Sequence, residues 1–355
     1  MDTVPDPLLG VLRRLAPGRP LRDAVERIMQ HDKGALIILG SGPDVDNVCS
    51  GGFLLEDASF SPQRLAELAK MDGAIVVDDD AEQILRANVH LVPDPSIPTD
   101  ETGSRHRTAE RVARQTGRPV LSVSEGRSLV TIFYGEGKHE LEDPTQLLAR
   151  ANQALQTMER FRSRLDEAEE RLTRLEVDDL VTFRDVVALL QRNELVRRIG
   201  KDIDYSAVEL GGEGGLIRLQ LADLRQGIDR LRDLVVLDYV RPARSASFQR
   251  ALEELERLTT QEVYHAQRVA GALGIDHLDT QARPQGYRLL ERVPRLPDNV
   301  KEALIQHYKD FQKMLRAATE DLDEVEGVGR ARAMELRQYF DRLLDTGRMW
   351  GVGEV

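Results

Sequence analysis

Apolar positions in the first 140 residues come in short, closely spaced groups, whereas those after Pro144 form long helical stripes. Leu8, Leu9, Leu12 and Leu15 share one helical face that Pro17-Gly18 ends, and Leu21, Val25 and Ile28 form a second. Ala35-Leu36-Ile37-Ile38-Leu39 is a continuous apolar run closed by Gly40, too short for a helix, and predicts a buried strand. Phe53-Leu54-Leu55 predicts another. Ser61-Pro62 predicts a helix start, with Ser as N-cap, Pro in the first turn, and Leu65, Leu68 and Ala69 turned inward. Met71-Asp72-Gly73-Ala74-Ile75-Val76-Val77-Asp78 reads as a strand with a carboxylate and a glycine at its entrance. Ile84 to Ala87 read as helical, and Val89-His90-Leu91-Val92 as a short extended run halted by Pro93, Pro95 and Pro98. A helix opens near Thr102-Gly103-Ser104 and runs through Ala109, Val112 and Ala113 to Gly117, followed by strands at 119–124 and 129–134. Short strands mixed with helices predict an α/β domain with a central mixed sheet over residues 1–143.

Beyond Pro144 the period changes. Leu148, Ala151, Leu155, Met158, Leu165, Ala168, Leu172 and Leu175 follow three-and-four spacing, interrupted at Arg162, and predict one long amphipathic helix with a coiled-coil-like seam. Helices follow at 179–199, 217–238 and 247–273, the first two split by Gly211-Gly212-Glu213-Gly214-Gly215. No Lys-Ser/Thr pair follows those glycines, which excludes a P-loop. Gly286 to Pro297 reads as a linker or strand, and the remaining residues as helical. No solenoid-type repeat is visible. These patterns predict an all-α linker spine over 144–290 and a separate helical domain over 291–355.

Composition narrows the chemistry. The 355-residue chain is 41% hydrophobic and 31% charged, with a formal net charge of −12, so any nucleic-acid contact must be local rather than driven by overall charge. No run approaches the roughly 18 apolar residues of a membrane span, and MDTVPDPLLG lacks the features of a secretory signal, so a cytoplasmic location is expected. Cys49 is the only cysteine, which excludes an internal disulfide and a multi-cysteine zinc site. Any metal should therefore be oxygen-ligated, which suits Mg²⁺ or Mn²⁺.

Three motifs carry candidate chemistry. In Thr102-Gly103-Ser104-Arg105-His106-Arg107-Thr108, a glycine and hydroxyls flank three basic side chains at a helix start, where unpaired N–H groups and the helix dipole favour phosphate. Asp72-Gly73-Ala74 places a carboxylate at a strand entrance, able to hold a divalent cation or polarise a hydroxyl. Asp78-Asp79-Asp80 reads instead as a solvated loop, because three adjacent acids point apart. Near the C-terminus, Leu322, Val325, Gly327, Val328, Gly329, Ala333 and Leu336 fit the helix–hairpin–helix pattern hxxhxGhGxxxAxxh. Its Gly-Val-Gly turn presents backbone N–H groups to a DNA phosphate without reading sequence, and Arg330, Arg332 and Arg337 add charge. Residues 291–355 nonetheless hold 11 Lys/Arg against 13 Asp/Glu, so this is no basic domain.

The order of these motifs, DGA, then RHR, then a terminal glycine hairpin, resembles the DisA family of DNA integrity scanning proteins, which are diadenylate cyclases. The resemblance spans essentially the whole chain: cyclase domain, helical spine, helix–hairpin–helix domain. It implies condensation of two ATP into cyclic di-AMP and two pyrophosphates. It implies that Asp72 binds the metal and helps activate the ribose 3′-hydroxyl, that Gly73 lies against the nucleotide, and that Leu91 contacts the adenine region through its backbone. Ser104, Arg105, His106, Arg107 and Thr108 would hold the triphosphate, with Ser124 near its end. The family's usual residue at position 104 is Thr, and Ser keeps the hydroxyl. The resemblance further implies a homo-octamer with face-to-face cyclase domains, association with the nucleoid, and suppression of synthesis by branched DNA through Gly327, Val328, Gly329, Arg330 and Arg332. A DNA-binding repair factor whose nucleotide site only senses ATP, and a scaffold with a degenerate site, are the alternatives.

Overall fold

The structure is a computed structural model that describes residues 7–125, 129–240 and 245–350. The chain forms two compact units, residues 1–153 with 203–219, and residues 154–202 with 220–355.

In the first unit α1 (Pro7–Arg14) and α2 (Pro20–Gln30) precede β1 (Ala35–Leu39). There follow α3 (Pro43–Val48), β2 (Cys49–Ser50), β3 (Phe53–Leu54), α4 (Pro62–Leu68), β4 (Ala74–Val77), β5 (Ile84–Leu91), α5 (Ser104–Thr116), β6 (Val120–Val123), β7 (Val130–Tyr134) and β8 (Gly137–Glu140). Among the described residues the sheet order is β2-β5-β4-β1-β6-β7-β8, with β3 also paired to β5. The β1–β4 pairing is parallel and the β1–β6, β4–β5 and β6–β7 pairings are antiparallel, so the sheet is mixed.

Side-chain alternation sorts each central strand onto two cores. Ala35, Ile37 and Leu39 of β1, Ile75 and Val77 of β4, and Leu121 and Val123 of β6 pack with residues of α1, α2 and α4. Leu36, Ile38, Ala74, Val76 and Val120 pack on the other face with Val45, Val48, Ala109, Val112 and Ala113 of α3 and α5. A sheet covered on both faces explains why its central strands read as unbroken apolar runs. Ser61 caps α4 as expected, accepting from the Arg64 backbone N–H at 3.2 Å. The aspartates at 78–80 diverge: Asp78 accepts from the Glu82 and Gln83 backbones, Asp79 pairs with Arg118, and Asp80 with Arg14.

Ile84 to Ala87 are not helical but open the strand β5. Its register with β4 shifts twice, and Asn88 takes φ +56°. The buried positions Ile84 and Ala87 therefore fall three apart, a helical spacing produced by bulges.

The helices that follow are α6 (Pro144–Val177), α7 (Phe183–Glu209), α8 (Gly215–Arg225), α9 (Ile228–Tyr239), α10 (Ser245–Arg257), α11 (Thr260–Val263), α12 (Ala266–Ala272), α13 (Tyr287–Glu291), α14 (Asp298–Tyr308), α15 (Phe311–Leu315), α16 (Thr319–Asp323) and α17 (Arg330–Trp350). By residue range, α6 and α7 each have part of their length in both units. The α6 seam buries Ala151, Leu155, Met158, Leu165 and Leu172. Its interruption has a cause: Arg162 donates to the carbonyls of Leu224 and Gln226 at 3.2 and 2.8 Å, satisfying the end of α8. The helix expected over 217–238 is two, parted by Gly227 at φ +76°. The one expected over 247–273 is three, because the Thr259–Glu262 capping box starts a new helix.

Gly286 to Pro297 is not a linker or strand. It contains α13, and α13 with α14 forms a hairpin that recurs thirty-two residues later as α16 with α17 (Tyr287 against Thr319, Asp298 against Arg330). Leu290, Val293, Leu296 and Leu304 are buried in the first copy, Leu322, Val325, Val328 and Leu336 in the second, within one core. Arg295 at φ +57° stands where Gly327 stands at φ +82°. Arg295 and Pro297 in place of glycines hide the repeat from the sequence.

A buried polar network joins α13 to α6 and α9. Arg288, 1% exposed, pairs with the equally buried Glu176 and donates to Thr173 Oγ1 at 2.9 Å. The Tyr239 hydroxyl also donates to Glu176. Asp238 accepts the backbone N–H groups of Gly286, Tyr287 and Arg288 at 2.7, 2.7 and 3.0 Å. Burial, then the Glu176 charge, push the Asp238 carboxyl up to about 7. Burial works against the charged Arg288, but Glu176, Tyr239, Glu169 and Asp238 together more than offset it, so its pKa rises.

Candidate nucleotide site

Strand register assembles the site. The parallel pairing of β1 with β4 brings the bend at 71–73, just before β4, to the same end of the sheet as Gly34, and Arg105 touches both Gly34 and Asp72 there. The antiparallel register Ala35↔Val123, extended by one, sets Gly34 beside Ser124. Asp72, Gly34 and Ser124 thus lie at one end of the sheet, and the N-terminus of α5 comes to the same place. Arg105 Nη2 lies 2.9 Å from Asp72 Oδ1, and its Nη1 lies 3.4 Å from Glu125 Oε2. The Asp72 side chain is 94% exposed, an open carboxylate with one cationic neighbour among the described residues.

The start of α5 is held by the proline-rich loop before it. Asp94 N donates to Gln115 Oε1 at 2.8 Å, Thr99 Oγ1 donates to Glu110, and Arg111 Nε donates to Ile97 O at 2.9 Å. These polar residues of α5 strap 94–99 along the helix and fix where Gly103 begins it. Gly103 is the N-cap and supplies no side-chain cap, so the first-turn N–H groups face whatever approaches. Ser104 and Arg107 are exposed, and Arg107 makes no ion pair with a described residue. Thr108 Oγ1 donates to Ser104 O at 2.9 Å, which spends its proton on the helix and leaves it an acceptor. His106 is half-buried, edge-on to Phe133 at 6.0 Å with Nε2 3.4 Å from Thr131 Oγ1. A Cβ on Gly103 would be 3.5 Å from His106 Nδ1, so Nδ1 is the ring nitrogen turned toward the start of α5.

Gly73 is explained by packing. A Cβ there would stand 2.4 Å from the Asn88 carbonyl carbon and 2.5 Å from its Cα. The bulge in β5 occupies the space a side chain would need. Gly73→Ala is accordingly expected to lower stability by about 1–3 kcal/mol. Because it tilts the strand entrance that carries Asp72, it should also reduce turnover about 100-fold, as a 1 Å misplacement does. Chemical denaturation and a product assay check this, and an unchanged midpoint would contradict it. Leu91 is 7% exposed, its side chain in the core beneath α5 and its strand neighbour Cys49, so only its backbone can meet a ligand. Ser124 stands at the end of β6, its Oγ 3.4 Å from Glu125 O. Sequence reasoning missed Gly34, Glu125, Asn88 and Thr131. Once β1, β4 and β6 are paired in register, the first two follow from counting along the strands.

The chain matches the family model for the DisA bacterial checkpoint controller nucleotide-binding domain over residues 22–138, and that for the DisA bacterial checkpoint controller linker region over 141–281. It is 47% identical over 345 residues to a DNA integrity scanning protein DisA of Acidothermus cellulolyticus, covering 96% of this chain and 94% of that one. The proteins of the same name from Streptomyces avermitilis and Kineococcus radiotolerans are each 48% identical, over 94% and 97% of this chain and 91% and 98% of theirs. The chain belongs to the DisA family of diadenylate cyclases. In DisA terms the sheet unit carries the nucleotide-binding domain, and the long helices α6 and α7 fall in the linker region. Among the described residues, no helix is long and apolar enough to cross a membrane.

The C-terminal turn of the second hairpin places its predicted residues as follows. Gly327 and Gly329 are exposed at φ +82° and +29°, and Val328 is buried between them. Arg330 is exposed at the first position of α17, whereas Arg332 folds back to donate to Gly327 O. The turn is therefore held by Arg332, and Arg330 is the cation it leaves facing outward.

Proposed function

We propose that this chain condenses two ATP into cyclic di-AMP and two pyrophosphates at a site completed by a second copy. The observation that carries this reading is the row of strand ends. It sets one open carboxylate, Asp72, 2.9 Å from the first arginine of an uncapped helix start. Ser104, the first-turn N–H groups, Arg105, His106 Nδ1 and Arg107 hold the triphosphate. Asp72 faces the ribose 3′-hydroxyl, Gly73 and the Leu91 backbone lie beside the nucleoside, and Ser124 meets the chain of phosphates.

Among the described residues no three His, Cys, Asp or Glu side chains converge to hold an ion. A single open carboxylate completed by nucleotide phosphates is the donor set that Mg²⁺ or Mn²⁺ takes, so Asp72 fits such an ion. When bound, the ion neutralises triphosphate charge and acidifies the attacking hydroxyl. The protein's own share is positioning and charge compensation: the arginines offset charge on the leaving pyrophosphate, and the helix start fixes the α-phosphate. Each 3′-hydroxyl must attack the α-phosphate of the other ATP, which one pocket with one ATP cannot arrange. Two pockets facing across a two-fold axis can, and so the enzyme works as a homo-oligomer with paired cyclase domains, which the octamer expected from the family resemblance would contain. Mixing Asp72→Asn protein with wild type tests the shared site. Activity per wild-type subunit should fall as the mutant fraction rises, and a constant value would contradict it.

The duplicated hairpin supports a DNA-sensing role. In the second copy the exposed Gly327, Gly329 and Arg330 meet a phosphate of branched DNA, while the buried Val328, its N–H donated to Val325 O, and Arg332 hold the turn. In the first copy Pro297 has no N–H to give, so that turn lacks the donor that Gly329 supplies in the second. Gly329→Asp combined with Arg330→Glu is expected to weaken binding of a four-way junction about tenfold or more at ~0.1 M salt, leaving DNA-free synthesis intact. Band-shift titration checks the first part. Wild type should make less cyclic di-AMP when junction DNA is added, and synthesis that ignores bound junction would contradict the coupling.

A further inference from the structure

Arg105 sits where a side chain on Gly34 would be. Gly34 is buried just before β1, and its backbone lies outside the left-handed region, so conformation does not demand glycine there. Space does. A Cβ on Gly34 would stand 2.0 Å from Arg105 Nη1, 2.8 Å from its Cζ and 3.1 Å from the Val123 carbonyl oxygen. The guanidinium rests on the bare Cα of Gly34, with Nη2 on Asp72 at 2.9 Å and Nη1 toward Glu125 at 3.4 Å. Both carboxylates are more than half exposed and neither needs Arg105 for burial, at 94% and 55% for Asp72 and Glu125.

We propose that Gly34 and Glu125 are positioning residues of the nucleotide site: they hold Arg105 in a resting berth against Asp72, from which an incoming triphosphate draws it. This rests on the nucleotide reading of the site. In the berth the guanidinium is paired while the site waits, so a triphosphate must compete with Asp72 and Glu125 for it. The triphosphate then takes Arg105, and the departure of Arg105 frees Asp72 for a cation. Partners are exchanged, no charge is left unpaired, and nucleotide and cation favour each other's binding. Glu125 is the restraint in this exchange, since it competes with phosphate for the same guanidinium.

The test uses the full chain and 3′-deoxyATP, which has no attacking hydroxyl, titrated by calorimetry in EDTA so that binding is read without metal or turnover. Gly34→Ala evicts the guanidinium from its berth, and Glu125→Gln removes the competitor. Each is expected to tighten metal-free binding about two- to five-fold, the size of one exposed ion pair. In an Arg105→Ala background both effects should vanish, which a merely structural disturbance at Gly34 would not do. Unchanged or weaker binding in both variants overturns the proposal, as do equal effects with and without Arg105. If wild type binds 3′-deoxyATP and the variants match it, the berth alone is wrong. If wild type does not bind it with or without Mn²⁺, the nucleotide reading fails and the berth with it.

Discussion

Asp72→Asn protein is expected to fold normally and to make cyclic di-AMP about 100- to 1,000-fold more slowly. The structural cost is small because the side chain is 94% exposed and its one ion pair lies at the surface, where such pairs contribute about 0–1 kcal/mol. The chemical cost is large. Asp72 is the carboxylate at the row of strand ends, the group that faces the 3′-hydroxyl and fits a divalent ion. Losing a group aimed at charge that develops in the transition state removes about 2.7–4 kcal/mol of stabilisation. Asn retains the size and one acceptor oxygen, so binding of 3′-deoxyATP should survive while turnover does not. Product formation at saturating ATP, beside a thermal melt, separates the two. A loss under tenfold would remove Asp72 from the chemistry.

The second large effect is on stability. Arg288→Met leaves the Glu176 carboxylate 1% exposed, facing Tyr239 and Asp238 with its cation gone. Breaking one side of a buried pair costs about 3–5 kcal/mol, because the surviving charge has neither water nor a cation and keeps only the Tyr239 hydroxyl. The loss should fall on α6, α9 and α13, whose side chains meet there. Pairing it with Glu176→Met removes the stranded charge, and the double variant should recover a large part of the loss. Urea unfolding of the four proteins of this cycle measures the coupling, provided the transition of the helical unit is resolved. Arg288→Met within 1 kcal/mol of wild type would mean that Glu176 finds another cation.

Much of this fold is written in its periodicities. Runs such as Ala35–Leu39 and Ala74–Val77 are apolar at every position because the sheet is covered on both faces, and they read as strands directly. The α6 seam reads as a helix for the opposite reason, its apolar residues being confined to one side. What misled were positions where a local device breaks the period. The bulges near Asn88 made a strand look helical, Gly227 and the Thr259 capping box cut apparently continuous helices, and Arg295 and Pro297 concealed a repeated hairpin behind non-glycine turn residues.

The site divides in the same way. Asp72 and the Arg105-His106-Arg107 run are local signals, because a carboxylate at a strand entrance and cations at a helix start are visible without a partner. Gly34 and Glu125 carry no such signal. Their meaning arises only when β1, β4 and β6 pair in register and bring residues 34, 72 and 124 to one end of the sheet. Gly73 was legible as a position that needs glycine, yet the approaching group is the Asn88 backbone as well as any nucleotide.

This chain is expected to join two ATP molecules. Incubating the full-length protein with ATP and either Mg²⁺ or Mn²⁺, then separating nucleotides by chromatography, tests it most directly. Cyclic di-AMP should accumulate with two pyrophosphates released per molecule formed, and Asp72→Asn protein should form almost none. Bound ATP with no cyclic product under either metal would contradict the account and leave a site that only senses the nucleotide.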